Sequence, residues 1–296
     1  INRWDKMKRV IYSFYIDIPK HELDIFDKEL PIVKNNKAKP INLVTKDRLK
    51  KHFLRLLVEK EAYAKKLGYD FKLFEYGPDW ILFEQKLKRE HPYLTTYNIV
   101  NFYKIHLLYE LAKQYDEVLY LDFDVVPMQH VDFFEHWDLT KGIAVLNNND
   151  RVLVPENVTD SSTTIRSPTA KFYNAQAMLF EKGLSTKNDV INTGIIGANA
   201  EHLNTLAYFK DFDKNLKLMT DLTKESDLHP PRLLKYFGWD NETLFAVKIK
   251  ENNVPILWLD DKWHYFFSSQ KHVPGKVILC HTINKDFDTV WRVLDA

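Results

Sequence analysis

A single cysteine, Cys280, in 296 residues excludes an internal disulfide and argues against a cysteine-built zinc cluster. Within Val277-Ile278-Leu279-Cys280 it reads as a small buried hydrophobe rather than a nucleophile. A surplus of one charge is missing too. The 42 Lys and Arg against 41 Asp and Glu leave a formal net charge of +1, which offers no footprint for nucleic acid or an anionic membrane as partner. Any anionic ligand must then be held by local groups. No apolar run approaches the roughly 20 residues that span a bilayer, so no transmembrane segment is expected. No signal peptide opens the chain, and a first residue other than Met fits a trimmed chain. The expectation is a cytoplasmic protein, although the sequons Asn157-Val158-Thr159 and Asn241-Glu242-Thr243 would also suit a trimmed luminal domain. Internal repeats, low-complexity tracts and clean linkers are absent as well, which predicts one domain over residues 1–296 rather than separable modules.

What the chain does have is apolar mass, 45% hydrophobic and 14% aromatic, enough for a large core in one domain or two fused lobes. Lys8 to Ile16 is rich in β-branched and aromatic residues and reads as a first strand, ended by Asp17 and Pro19. Thr45 reads as the N-cap of a helix with Leu49, Phe53, Leu56, Leu57 and Leu67 on its apolar side, closed by Gly68. Tyr69 to Tyr76 is a second strand, punctuated by Gly77-Pro78. Ile99, Tyr103, Leu107, Leu111 and Tyr115 recur every four positions, as in a helix that packs on a sheet. Such alternation predicts an α/β fold with a mostly parallel, Rossmann-like sheet flanked by helices, in which ligands bind beyond the carboxyl ends of the strands. From Asn147 to about Thr169 the chain turns polar, through Ser161-Ser162-Thr163-Thr164, and reads as a loop, either a lid or a surface insertion.

Everything centres on Val118 to Pro127, an apolar lead into Asp122-Phe123-Asp124. Read as one buried strand, it places both acids on one face and Phe123 on the other, with Pro127 ending the pairing. Two carboxylates that close repel each other and stay ionised together only beside a cation, so a divalent metal is the natural third party. With the helix carrying Tyr103-Lys104 before it, this segment resembles the metal-binding Asp-x-Asp segment of nucleotide-sugar glycosyltransferases of the GT-A fold, most of all the glycogenin-like group. The resemblance runs unevenly over residues 8 to 290. It implies a nucleotide-binding half over about 1–127 and a fused acceptor-side lobe over about 128–296. It also implies Mn²⁺ or Mg²⁺ as the metal, a nucleotide-sugar donor, UDP-linked as in most such families, and a glycan or glycoprotein acceptor.

Other segments extend it. Val190 to Ala198 resembles the family's Asn-x-Gly strand, which gives Asn192 a donor-sugar hydroxyl, while Gly194 and Gly197 serve either close ligand approach or a bulge. Val277 to Lys285 resembles the segment with a C-terminal metal histidine and a phosphate-binding lysine, which makes His281 a third metal ligand and Lys285 a diphosphate contact. The glycines and Pro-Trp that flank this segment in glycogenin-like enzymes are missing here. Read alone, a histidine after a strand such as His281 is more often a satisfied structural residue. Lys104 is either a solvated lysine or a contact to the donor, and Tyr15, at the end of the first strand, is assigned to the donor as well. Gly238 to Phe245 resembles the acidic segment beside the anomeric carbon, so Asp240 and Glu242 are the catalytic candidates; both also suit a plain helix N-terminus. Trp239 could stack on an acceptor ring or join the core, and the aromatics of Trp258 to Phe267 read mostly as core.

The chemistry implied is displacement at an anomeric carbon, with retention of configuration by the glycogenin-like precedent. Two other classes remain. A haloacid-dehalogenase-type phosphatase also places Asp-x-Asp after an apolar strand, with Asp122 as nucleophile and Asp260-Asp261 as its late acidic pair. A non-catalytic glycan-binding module would keep the fold without turnover.

Overall fold

A computed structural model describes residues 7–19, 41–160, 162–163, 165–224, 233, 238–268 and 272–296. The chain divides into two compact units, one of residues 1–137, 194–196 and 259–296, the other of residues 138–193 and 197–258.

In the first unit, strand β1 (Arg9–Tyr15) lies parallel between β2 (Asp70–Glu75) and β3 (Glu117–Leu121). Its interior from Val10 to Phe14 is buried, as expected of a parallel strand covered on both faces, where an apolar run replaces alternation. Arg9 ties the strand starts together: its guanidinium donates to Glu117 at 2.7 Å and Glu135 at 2.8 Å, and reaches the Tyr69 hydroxyl at 3.1 Å.

Helix α1 (Ile41–Leu67) connects to β2 and packs Leu49, Phe53 and Leu56 into a cluster with Phe123, Val126, Phe287 and Trp291. It is already helical at Ile41, a turn before the Thr45 cap expected from sequence. Its other end is as expected. Gly68 takes φ 78°, the left-handed region open to glycine, and Tyr69 N–H reaches back to the Ala64 carbonyl at 3.0 Å. Helix α2 (Pro78–Glu90) starts with proline inside its first turn. Helix α3 (Thr96–Ala112) opens on a capping box between Thr95 and Asn98 and buries Ile99, Tyr103, Leu107 and Leu111.

The segment Val118 to Pro127 is not one strand. β3 ends at Leu121, residues 123 and 124 form a turn, and β4 (Val125–Pro127) belongs to a separate three-stranded sheet in the order β4-β9-β8, with β8 (Tyr265–Phe267) and β9 (Leu279–Thr282). β4 and β9 are antiparallel, with Val125 opposite His281.

In the second unit, β5 (Ile143–Asn147) runs antiparallel to the ends of β6 (Ile191–Asn199), with a register shift between Ala144 and Leu146, and parallel to β7 (Ile256–Trp258). The polar stretch after Asn147 is not a plain loop. It holds a 3₁₀ turn (Asn149–Arg151) and a short helix (Pro155–Thr159), while Ser161 and Thr164 lie outside the described residues. Asn147 and Asn149 donate to Asp189 at 3.2 and 2.9 Å, and Asn149 accepts from Val190 N–H at 2.8 Å, so side-chain amides fasten this stretch to the approach of β6. Among the described residues no helix is long and apolar enough to cross a membrane.

Gly142, just before β5, is a close-approach glycine: a Cβ there would sit 2.7 Å from the Pro255 carbonyl oxygen and 2.9 Å from its carbon. Backbone cannot yield as a side chain can, so Gly142→Ala should destabilise by about 1–3 kcal/mol, read as a lowered urea midpoint at unchanged slope.

Candidate active site

The Asp-x-Asp segment works as a turn, and the turn is pinned at each backbone group. Ser13 Oγ–H donates to the Leu121 carbonyl at 2.7 Å, and Asp122 N–H donates to the Gly194 carbonyl at 2.7 Å. Val125 N–H closes the turn on the Asp122 carbonyl at 2.9 Å, and Thr282 N–H holds the Asp124 carbonyl at 3.0 Å. Lys60, fully buried on α1, donates to the Phe123 carbonyl at 2.7 Å. The Phe123 ring packs away from the acids, 5.2 Å from Phe53 and 5.0 Å from Tyr15 between centroids. Phe123 is thus directed opposite to its neighbours, as expected, but through a turn instead of a pleat.

The turn and the β4–β9 pairing bring three groups together. One ligand atom each from Asp122, Asp124 and His281 lies within 4.8 Å of the others. His281 Nε2 is 3.4 Å from Asp124 Oδ1 and 3.8 Å from Asp122 Oδ2. Its Nδ1 is 2.9 Å from Nε2 of His264, which is as buried as His281 itself.

Cations surround the acids. Lys104 Nζ is 3.2 Å from Asp122 Oδ1, which also accepts from the Tyr120 hydroxyl. Lys104 is 4% exposed, so it is not the solvated lysine that its position beside the helical stripe allowed. Lys285, in a left-handed turn at φ 57°, brings Nζ onto Asp124 Oδ2. Burial alone would raise the Asp124 carboxyl, but Lys285 and His281 outweigh it and hold it well below the usual carboxylate range. Burial lowers Lys60 to about 7, against the pull of Asp124 and Asp122.

A cavity of about 260 Å³ opens beside these groups, past the carboxyl ends of β1 and β3. Asp122, Asp124, Lys104 and Lys285 form its polar wall, and Leu49, Tyr97 and Val100 contribute to its apolar one. Tyr15 lies along it with a buried hydroxyl that has no partner among the described residues; burial, then Asp17 and Glu75, push it up to about 12.

Asn192, Trp239, Asp240 and Glu242 lie in the second unit. Asp240 is the N-cap of helix α9 (Asn241–Asn252), its Oδ2 accepting from Thr243 N–H and Oγ–H, both at 2.8 Å. Glu242 is buried, accepts from Thr193 N–H at 2.8 Å and Oγ–H at 3.1 Å, and pairs with Lys171, which also lies 3.7 Å from Asp240 Oδ1. Asn192 is on β6 opposite Leu146. Trp239 donates its indole N–H to Thr220 Oγ1 at 3.0 Å. Asp260 and Asp261 do not join the acids on the turn. Asp260 caps the Lys262 and Trp263 amides, and Asp261 pairs with Lys276 at the surface.

Sequence reasoning missed Lys60, Tyr120, Lys171 and His264. Lys60 carried a signal, since it falls on the apolar stripe of α1, four residues after Leu56 and seven after Phe53, where a lysine needs a buried partner. The others carried none.

No family model matches the chain, and no curated protein does. Solved structures similar to it include a glycosyltransferase involved in the glycosylation of the major capsid of PBCV-1, at 12% identity and TM-score 0.44 over 98% of this chain and 100% of that one. Mouse xyloside xylosyltransferase 1 is similar at 10% identity and TM-score 0.46, over 96% and 99% of the two chains. The galactosyltransferase LgtC, in complex with donor and acceptor sugar analogs, is similar at 14% identity and TM-score 0.39, over 93% and 87%.

Lys60 sets a pH dependence. Its value of about 7 lies below the ordinary lysine value, so from there up to about pH 10 the unfolded chain binds a proton that the folded chain does not. Stability therefore climbs with pH through that window. Relative to Lys60→Met, the wild type should gain up to about 1.4 kcal/mol per pH unit, read by urea unfolding at about pH 7.5 to 9.5.

Proposed function

We propose that this protein is a metal-dependent glycosyltransferase that moves a sugar from a nucleotide-sugar donor, a UDP-sugar, to a hydroxyl of a glycan or glycoprotein, with retention at the anomeric carbon. The observation that carries the reading is the convergence of Asp122, Asp124 and His281 at one point, where both acids, Lys104 and Lys285 line one cavity past the strand ends. Two carboxylates and an imidazole make a mixed oxygen and nitrogen donor set that suits Mn²⁺, with Mg²⁺ as its oxygen-preferring substitute. Asp122, Asp124 and His281 would hold that ion, and when bound it supplies Lewis-acid charge against a departing diphosphate.

The chain's own residues do the rest. Lys285 and Lys104 are point charges within reach of the same carboxylates, so each can meet phosphate oxygens beside them. Tyr15 and the apolar wall bind the nucleoside, and Asn192 and Gly194 take the donor sugar. Asp240 and Glu242 stabilise positive charge that develops on the sugar ring as the leaving group departs. Of the two, Glu242 has both oxygens committed to Thr193 and Lys171, whereas Asp240 caps its helix through Oδ2. That favours Asp240 for direct contact and Glu242 for holding its surroundings. The phosphatase alternative loses support, because its late acidic pair is engaged elsewhere.

Asp124→Asn should abolish transfer and remove the Mn²⁺ dependence of nucleotide binding. A thermal-shift panel of UDP-, GDP- and CMP-sugars with and without Mn²⁺ reads both, since bound ligand stabilises as RT ln(1 + [L]/Kd). Unchanged Mn²⁺-dependent binding in the variant, or hydrolysis of phosphate esters by the wild type, would overturn the reading. Asp240→Asn separates chemistry from capping. Asparagine caps a helix as well as aspartate does, so stability should hold while kcat falls about 10²-fold or more. A near-normal kcat would leave Asp240 as a cap alone.

A further inference from the structure

Both ring nitrogens of His281 have a neighbour. Nε2 faces Asp124 and Asp122 at 3.4 and 3.8 Å, and Nδ1 faces Nε2 of His264 at 2.9 Å, with both rings buried. Only one proton fits between two imidazole nitrogens at that distance, and which ring carries it decides what Nε2 of His281 can do. If His264 donates, a neutral His281 must carry its own proton on Nε2, aimed at the carboxylates, and has no lone pair there for a metal. If His281 donates, its Nε2 lone pair is directed at the acids.

We infer that His264 is a positioning residue that accepts the Nδ1 proton of His281 and so keeps His281 Nε2 available as the third metal ligand. The inference rests on the metal site of the proposed function but not on sugar transfer. Local structure supports the role. His264 is held before β8 by its N–H on the Asp260 carbonyl at 3.0 Å, and Phe266, opposite His281 in the β8–β9 ladder, packs against both rings at 5.0 and 5.4 Å. His281 is therefore fixed by sheet register, and His264 by the turn that leads into β8. Partners of this kind orient a ligand and set which nitrogen is protonated.

The test uses the full chain with two variants. Gln at 264 places an acceptor oxygen near the position of the His Nε2, while Leu fills the space with no acceptor. Binding of Mn²⁺ alone, read from the loss of the free-ion EPR signal, should weaken about 10–100-fold in His264→Leu, a range usual for such outer partners, and stay near wild type in His264→Gln. Equal losses in both variants would mean that the ring acts by packing only, and no loss in either would overturn the role. Long-range ¹H–¹⁵N spectra of the wild type decide independently of folding in the variants. With Mg²⁺ bound, His281 should carry its proton on Nδ1 alone; with and without Mg²⁺, His264 Nε2 should be unprotonated, and a proton on His264 Nε2 overturns the inference. Failure of the transferase reading would look different: Mn²⁺ uptake lost in Asp124→Asn, as here, but no nucleotide sugar bound or transferred.

Discussion

Two carboxylates cannot stand side by side in a largely buried site unless positive charge is brought to them, and much of the first unit follows from that requirement. The turn at residues 123 and 124 ends one sheet and begins another. Because β4 then pairs with β9, His281 arrives opposite Val125, the residue after the second acid. Lys285 follows four residues later in a left-handed turn that sends its side chain back to Asp124. His281 and Lys285 are thus delivered to the acids by a single pairing.

Lys60 is the less obvious half of that arrangement. Its ammonium is buried behind the turn, bonded to the Phe123 carbonyl and 4.9 Å from the Phe123 ring centroid. Burying a lysine is costly, as its lowered value shows. What it offers in return is a buried donor for the carbonyl of Phe123, whose ring belongs to the apolar cluster with Phe53 and Trp291. A local rule is broken at the place where chemistry needs a turn that does not flex.

The sequence disclosed those parts of the fold that depend on periodicity. β1, β2, α3 and the Gly68 helix end follow from runs, stripes and a left-handed glycine, and they form as read except that Tyr115, the last of the stripe, lies past the end of α3 at Ala112. It disclosed the identity of Asp122, Asp124, His281, Lys104 and Lys285 through motif resemblance, and their convergence follows from the topology. Where one sheet ends and another begins was hidden, because Val118 to Pro127 is apolar on both sides of the acids and both halves extend. The fastening of the stretch after Asn147 was hidden for another reason. Asn147 and Asn149 suit a loop, but their use is set by a distant partner, Asp189.

Overall charge was the least informative signal of all. A net charge of +1 rightly excludes a broad field that would draw in a polyanion. Yet near-balance over the chain coexists with Lys60, Lys104, Lys285 and His281 gathered about two acids. If a divalent cation occupies the acids, the two carboxylates are neutralised by it, and Lys104 and Lys285, which line the cavity, become a local positive surplus directed at whatever lies in it. A ligand carrying two phosphates supplies the matching negative charge, and a neutral sugar would not. Selection for a diphosphate would then come from a few ångströms of arrangement, in a dielectric where such charges count for far more than they do at the surface.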